Sequence, residues 1–368
     1  MALTILHIVE AFGGGVVTYL NDLTRGQCNR MYKVYIAYGI RYETPPDFKQ
    51  MFDKRITWIE VRNFRKAIGM HDYKAYKELG KLLKGVKPDI VHLHSSKAGV
   101  IGRLLIRNRR TPLFYTPHGF AFLMKDASAL KRLFYRLTEY ACAKLSHAIT
   151  IACSEGEYKE AGKLDRKATY VNNGINPKEL QPYLRENKKR GNLTVCTVGR
   201  ILPQKNPAFF NRVAELLPNV GFVWIGDGEL RHLLTAANIT VTGWTDRNEA
   251  MKRLAEADVF LLPSLWEGLP ISLLEAMFLK KLCIVSDVIG NRDVIRTGVN
   301  GFIAGTPEEF AGIIERAGNG ETDVENIVGR AHEEVINHYN AELLAEKYEI
   351  VYARYGLSLI HISEPTRP

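Results

Sequence analysis

Apolar runs of strand length alternate with helically spaced stretches along the whole chain. Leu3–Val9, Lys33–Ala37, Ile90–His94, Leu113–Thr116 and Ala148–Ala152 form a first series. Thr194–Val198, Gly221–Ile225, Ile239–Thr242, Val259–Leu262 and Cys283–Ser286 form a second. Such alternation predicts parallel sheets with helices on both faces, an α/β architecture. The two series are separated by Asn176–Asn192, which is polar, charged and broken by Pro177, Pro182 and Gly191, as an interdomain linker would be. The 368 residues exceed one average core. The pattern therefore predicts two domains, 1–180 and 190–340, followed by a last helix over 341–356.

Composition narrows the class. Hydrophobic residues make up 46% of the chain, as in a globular protein, and no apolar segment reaches the ~18–20 residues of a membrane helix. The start, Met1–Glu10, lacks a basic region followed by a long apolar one and reads as a first strand rather than a signal peptide. Cys28, Cys142, Cys153, Cys196 and Cys283 form no Cys-x-x-Cys pair, which fits free thiols in a reducing cytoplasm and disfavours zinc. The net charge of +10 asks for an anionic partner. With neither an aromatic-basic RNA motif nor zinc-finger spacing, nucleic acid is set aside in favour of a diphosphate ligand or an anionic membrane surface.

The chemistry-bearing stretch is Pro263-Ser264-Leu265-Trp266-Glu267-Gly268-Leu269-Pro270-Ile271-Ser272-Leu273-Leu274-Glu275. The strand-like run before it stops at Pro263, and Pro270 suits a first helical position. Glu267 then lies in the loop at a strand's carboxyl end, and Glu275 about 7–8 Å into the next helix at 1.5 Å per residue. Open α/β sheets bind ligands outside the carboxyl ends of their strands. Two acceptor-only carboxylates there suit a ligand rich in hydroxyls. Arg200 and Lys205, in Gly199-Arg200-Ile201-Leu202-Pro203-Gln204-Lys205-Asn206, follow the first strand of the second half. A guanidinium grips two phosphate oxygens and an ammonium acts as a point charge, so together they can neutralise a diphosphate without metal. Gly13-Gly14-Gly15 after the first strand lets a backbone approach a ligand at a helix start, but it is not the Gly-x-Gly-x-x-Gly dinucleotide fingerprint.

Glu267 and Glu275 with their flanking residues are similar to the Glu-x7-Glu signature of the GT4 family of retaining glycosyltransferases. Gly199–Asn206 resembles the Gly-Arg-x4-Lys-Asn of the same family, over roughly 1–356. The resemblance implies the GT-B fold: two Rossmann-like parallel-sheet domains facing across a cleft, with the helix 341–356 crossing back onto the first. It implies that Glu275 binds the donor ribose and Glu267 the donor sugar, assisted by amides near Gly268 and Leu269. Arg200, Lys205 and the Gly13–Gly15 amides are then the candidates for stabilising the leaving diphosphate. Retention of configuration is implied as well. Either Glu267 acts as a nucleophile, or the acceptor attacks from the leaving-group face and the phosphate takes its proton, the route favoured here. No metal or other cofactor is expected, in keeping with the absence of an Asp-x-Asp motif.

His118 in Thr116-Pro117-His118-Gly119-Phe120 is similar to the family's His-Gly element and is a candidate for handling a sugar hydroxyl or a proton. His92 and His94 resemble its His-x-His. They share a strand face, which would suit a metal, but the sequence offers no third ligand. His94, Ser95 and His118 are candidate acceptor contacts. Asn176 and Asp293 depart from the family's Asp and Glu. The basic, aromatic stretch from Leu130 to Lys144, with Arg103, Arg107, Arg109 and Arg110, suggests docking on anionic lipid and a polyprenyl-diphosphate-linked sugar or other glycan as acceptor. That would place the chain in the cytoplasm or at the inner face of a bacterial cell membrane, in surface-polysaccharide assembly, and the family resemblance implies a UDP-sugar as the expected donor. A nucleotide-sugar 2-epimerase and a non-catalytic sugar-nucleotide-binding subunit are the alternatives. Leu357–Arg367 resembles a translated sequencing adapter, which would make 357–368 a non-native tail.

Overall fold

The computed structural model describes residues 2–10, 12–41, 44, 46–65, 67, 69–107, 110–184 and 193–357. The expectations for Arg109, for the linker beyond residue 184 and for the tail from residue 358 fall outside them. The chain forms two compact units. One holds residues up to Leu123, Ala127–Asn173 and the chain from Ala341 onward; the other holds Met124–Asp126 and Gly174–Asn340.

In the first unit, seven described strands run parallel: β1 (Thr4–Val9), β2 (Lys33–Tyr38), β3 (Thr57–Glu60), β4 (Ile90–His94), β5 (Leu113–Thr116), β6 (Ile149–Ala152) and β7 (Thr169–Tyr170). Their spatial order is β3-β2-β1-β4-β5-β6-β7. Helices α1 (Gly15–Asn29), α2 (Met70–Val86), α3 (Ser96–Leu105), α4 (Ala129–Leu145) and α5 (Glu155–Gly162) connect them. Alternation along β1 divides the core: Ile5 and Val9 pack with Leu20, Leu23 and Phe114 on one face, and Leu6 and Ile8 pack with Leu79, Leu93 and Tyr115 on the other. His7 points to the first of these faces by the same alternation.

The second unit has six described parallel strands in the order β10-β9-β8-β11-β12-β13. They are β8 (Thr194–Val198), β9 (Gly221–Ile225), β10 (Ile239–Val241), β11 (Val259–Leu262), β12 (Leu282–Ser286) and β13 (Phe302–Ala304). Its helices are α6 (Pro177–Leu180), α7 (Pro207–Leu216), α8 (Arg247–Glu256), α9 (Ile271–Phe278), α10 (Pro307–Gly318) and α11 (Val324–His338). The last helix, α12 (Ala341–Tyr352), belongs to the first unit. There Leu344, Tyr348 and Tyr352 join the core of the β1–α1 face.

In each sheet the order reverses beside its first strand, at β1/β4 and at β8/β11. These are the switch points where open sheets leave a crevice. Gly13–Gly15 and Ser95 follow the first pair, and Gly199–Lys205 and Pro263–Gly268 follow the second.

The unit boundary lies at Asn173/Gly174, upstream of the expected linker, which corrects that assignment for residues 176–184. Asn176 caps α6 by accepting from the Lys178 amide at 3.1 Å, Pro177 takes its first turn, and Leu180 is buried. Pro177 starts a short packed helix instead, and Pro182 is exposed in the 3-10 turn Gln181–Tyr183 that follows it. β3, β7 and β13 carry no continuous apolar run. β3 alternates exposed ends with half-buried Trp58 and Ile59, and β7 is two residues long.

Candidate active site

In the second unit the loops that follow the strands are tied into one shelf. The Gly199 amide donates to the Ile225 carbonyl and the Ile201 amide to that of Asp227, at 3.0 and 2.9 Å. The Trp224 indole donates to the Gly199 carbonyl at 2.8 Å. Gly226 has φ +137°, and a Cβ there would lie 2.3 Å from the Gly199 oxygen, so only glycine lets the two loops approach this closely. Leu265 joins the shelf by donating its amide to the Gln204 carbonyl at 2.8 Å.

This shelf holds two buried carboxylates, each beside a cation. Glu267 accepts from the Lys205 ammonium at 2.7 Å through Oε1 and from the Gln204 amide at 3.2 Å through Oε2. Glu275, one turn into α9, lies 2.7 Å from an Arg247 guanidinium nitrogen. The side chains of Glu267 and Glu275 are only 7% and 4% exposed, so both acids need the cations they have. Arg200 is half-buried in the Lys205 loop. Gly268 and Leu269 are buried ahead of α9. Pro270 is the cap residue of that helix rather than its first residue, with no side-chain cap, and the Leu273 amide donates to the Pro270 carbonyl at 3.2 Å.

Arg247 was not foreseen from the sequence; it opens α8, after an Asp246 cap, where nothing in its spacing connects it to Glu275. Gln204 sits among the variable positions of its motif. Asp227 accepts from the Gly228 amide at 2.8 Å and pairs with Arg231, as a turn residue does. Asp293 accepts from the Gly290 amide at 3.1 Å.

The first unit gathers histidines at its switch point. Gly14 has φ +54° and starts α1 with Gly15, both exposed, a conformation glycine tolerates at no steric cost. Across the sheet, His7 of β1 stands in register with His92 of β4. His7 Nε2 bonds Gln27 Oε1 at 2.9 Å, and His7 Nδ1 bonds His94 Nε2 at 2.9 Å. His94 Nδ1 bonds His118 Nε2 at 3.1 Å. His92 bonds the Tyr352 hydroxyl at 2.7 Å and Thr116 Oγ1 at 2.9 Å.

Burial lowers His7 to about 4 and holds His92 and His94 well below the ordinary imidazole value, so all three are neutral near pH 7. His118 is half-buried, and desolvation lowers it too. Its backbone is left-handed at φ +55°. The adjoining turn is clamped by Glu157, whose carboxylate accepts from the Gly119 and Cys153 amides at 2.7 Å each. A non-glycine residue held in that region marks stored strain, which concentrates at functional sites.

Two expectations change here. His94 is fully buried with both ring nitrogens bonded, so it supports His118 from behind and has no face left for an acceptor. Ser95 and His118 remain partly accessible. His7 supplies the third imidazole that the sequence did not reveal, and one nitrogen each of His7, His92 and His94 lies within 4.8 Å of the others. All six nitrogens of the trio already have hydrogen-bond partners, so a cation could enter only by breaking several of those bonds. The signal for His7 was present as a polar residue in the middle of an apolar strand.

The basic surface is also redrawn. Arg103 is buried rather than exposed: its guanidinium pairs with Glu139 at 2.7 Å and stacks over the Tyr115 ring at 4.1 Å. Arg107 and Arg110 are exposed. On α4, Leu130, Leu133, Phe134, Leu137 and Tyr140 are all exposed, at helical spacing, beside Lys131, Arg136 and Lys144. Among the described residues, no helix is long and apolar enough to cross a membrane.

Residues 13–179 match the model of Glycosyltransferase Family 4, and residues 192–319 match that of Glycosyl transferases group 1. The chain belongs to glycosyltransferase family 4. A relative from Escherichia coli, UDP-Gal:alpha-D-GlcNAc-diphosphoundecaprenol alpha-1,3-galactosyltransferase, is 35% identical over 259 residues, covering 63% of this chain and 66% of that protein. Among solved structures, sucrose-phosphate synthase from Thermosynechococcus elongatus has a TM-score of 0.82 at 16% identity, covering 97% of this chain and 100% of that one. Anabaena HepE, in complex with UDP-glucose, has a TM-score of 0.75 at 16% identity, covering 96% and 100%. The two Rossmann-like units of this glycosyltransferase are those of the GT-B fold.

Proposed function

We propose that this glycosyltransferase moves a sugar, with retention and without a metal, from a UDP-sugar to a lipid-diphosphate-linked sugar or other glycan in polysaccharide biosynthesis. The observation that carries the reading is the pair of buried carboxylates at the carboxyl edge of the second sheet, each set against a cation. Departure of the nucleotide builds negative charge on its outer phosphate. Fixed donors there stabilise that charge by several kcal/mol without reorganising. Lys205 and Arg200 share the loop after β8 and supply two positive charges, the work a metal would otherwise do. Glu275 takes ribose hydroxyls and Glu267 those of the sugar.

Both oxygens of Glu267 are engaged, by Lys205 and by Gln204. That favours hydroxyl binding over nucleophilic attack, so the acceptor attacks from the leaving-group face and its proton passes to the departing phosphate. UDP as the nucleotide and a lipid diphosphate as the acceptor are supported by the activity that the Escherichia coli relative is named for, and UDP by the ligand of HepE. The exposed apolar and basic face of α4 supports association with an anionic membrane, where such an acceptor would lie.

Thermal unfolding against UDP, GDP, ADP, CDP and NAD, each with and without EDTA, tests the donor site. A ligand at ~100 times its dissociation constant adds about 2.7 kcal/mol. The expected result is a shift with UDP, unchanged by EDTA and reduced in Glu275→Ala. A shift only with NAD, or with none of the diphosphates, removes the reading.

A further inference from the structure

The histidines of the first unit form a chain that ends at the active-site candidate His118 and begins at a residue with no place in the donor site, Gln27 of α1. Gln27 is buried, as are His7 and His94. The links run Gln27 Oε1 to His7 Nε2 at 2.9 Å, His7 Nδ1 to His94 Nε2 at 2.9 Å, and His94 Nδ1 to His118 Nε2 at 3.1 Å. A neutral imidazole has one N–H and one lone pair, so each ring that donates through one nitrogen must accept through the other. The polarity set at one end is therefore carried to the other.

We propose that Gln27 is a positioning residue whose carboxamide oxygen, through His7 and His94, fixes the proton of His118 on Nε2 and leaves Nδ1 as an acceptor for a substrate hydroxyl. A carboxamide oxygen cannot donate, so His7 must carry its proton on Nε2 and offer Nδ1 to His94. His94 then donates through Nε2 and offers Nδ1 to His118, which donates through Nε2. His92 is held separately: Tyr352 bonds His92 Nδ1 at 2.7 Å. His92 Nε2 bonds Thr116 Oγ1 at 2.9 Å, and Thr116 meets the Tyr348 hydroxyl at 3.3 Å.

Turning the Gln27 amide over would reverse the chain, put the proton of His118 on Nδ1 and make it a donor instead. The depressed basicity of the buried rings fits this arrangement, because a protonated imidazole would donate at both nitrogens and break the chain. The catalytic consequence rests on the glycosyltransferase reading of His118; the tautomer assignment does not.

The test uses the full chain with 15N-labelled histidine and long-range 1H–15N correlation spectra at pH 7.5. In the wild type, His7, His94 and His118 are expected to show protonated Nε2 and unprotonated Nδ1. Gln27→Glu keeps an acceptor in place and retains this pattern. Gln27→Met keeps the volume, removes the acceptor and loses the single tautomer at His118. With a UDP-sugar and an acceptor, kcat in Gln27→Met falls by about 10²-fold while the donor KM stays within about twofold, and Gln27→Glu recovers most of kcat. A protonated Nδ1 at His118 in the wild type overturns the proposal, as does a pattern indifferent to Gln27→Met. A tautomer change that leaves kcat untouched overturns the positioning role. Absence of transfer by the wild type would fall on the functional reading alone, because the spectra decide the relay without turnover.

Discussion

Lys205 Nζ lies 2.7 Å from Glu267 Oε1, so the cation offered to a diphosphate is held by the carboxylate offered to the sugar. The two groups of the reacting centre hold each other in place across 62 residues of sequence. Removing either one has a different effect. Lys205→Ala removes a donor to the leaving phosphate and leaves a buried acid uncompensated. It is expected to lower kcat by about 10²–10³-fold, the loss seen when one oxyanion donor is deleted, and to weaken UDP binding. Glu267→Gln frees the ammonium, so UDP affinity is expected to hold or rise while transfer falls. Calorimetric UDP binding beside steady-state kinetics separates the two; equal losses of affinity in both variants would contradict this division of roles.

Arg247 and Glu275 form the second pair, and the arginine is the partner that sequence motifs did not announce. Glu275→Gln is expected to cut the UDP-dependent thermal shift while costing little stability. Arg247→Ala leaves a carboxylate buried without its cation and is expected to destabilise the second unit by about 1–3 kcal/mol. The double variant should be less destabilised than the sum of the two, with a coupling of about 0.5–3 kcal/mol. Additive unfolding free energies in denaturant titrations would show that the 2.7 Å contact carries no coupling.

Ten of the thirteen described strands and the Glu267/Glu275 placement were legible because each rests on a local pattern, whereas β3, β7 and β13 were not. A fully buried parallel strand shows as an apolar run, and a carboxylate between a strand's end and a helix start has few places to go. The tertiary partners were not legible. Gln27 reaches His7 from one helix turn among several, and His7 meets His94 only through the register of β1 on β4. Tyr348 and Tyr352 arrive from more than 200 residues away. The basic cluster misled because charge pattern does not reveal burial: Arg103 is turned inward by Glu139, a residue on the same helix as the exposed apolar stripe. The linker misled because Pro177 and Asn176 signal a helix start as well as a loop.

The α4 stripe gives a membrane prediction that leaves the donor site alone. Phe134 and Leu137 are 59% and 57% exposed, so replacing both by glutamate should cost the fold little. The variant is expected to lose co-sedimentation with phosphatidylglycerol vesicles at low salt. The wild type should bind and be released as salt is raised, because screening weakens the contributions of Lys131, Arg136 and Lys144. Transfer to a water-soluble acceptor is expected to be unchanged. Wild-type binding that is absent at low salt, or indifferent to salt, would argue against this surface.

The histidine chain makes stability depend on pH in a predictable direction. His7 is lowered from 6.5 to about 4 by burial, and His92 and His94 are lowered well below 6.5 for the same reason. These groups are neutral in the folded state, whereas their unfolded counterparts take up protons as the pH falls through about 6.5. Between pH 6.5 and 4 the unfolded chain therefore binds more protons, and stability rises with pH there. The contribution is fully present above 6.5 and is lost on acidification, by up to about 1.4 kcal/mol per pH unit for each histidine. Thermal unfolding of the first unit, followed through a fluorescent label on that unit, should show the midpoint falling steeply from pH 7 to pH 5. His7→Gln removes one titrating group, and its midpoint should fall less steeply over the same range even if it starts lower. Parallel slopes for wild type and variant would mean that His7 does not carry the buried proton deficit its surroundings impose.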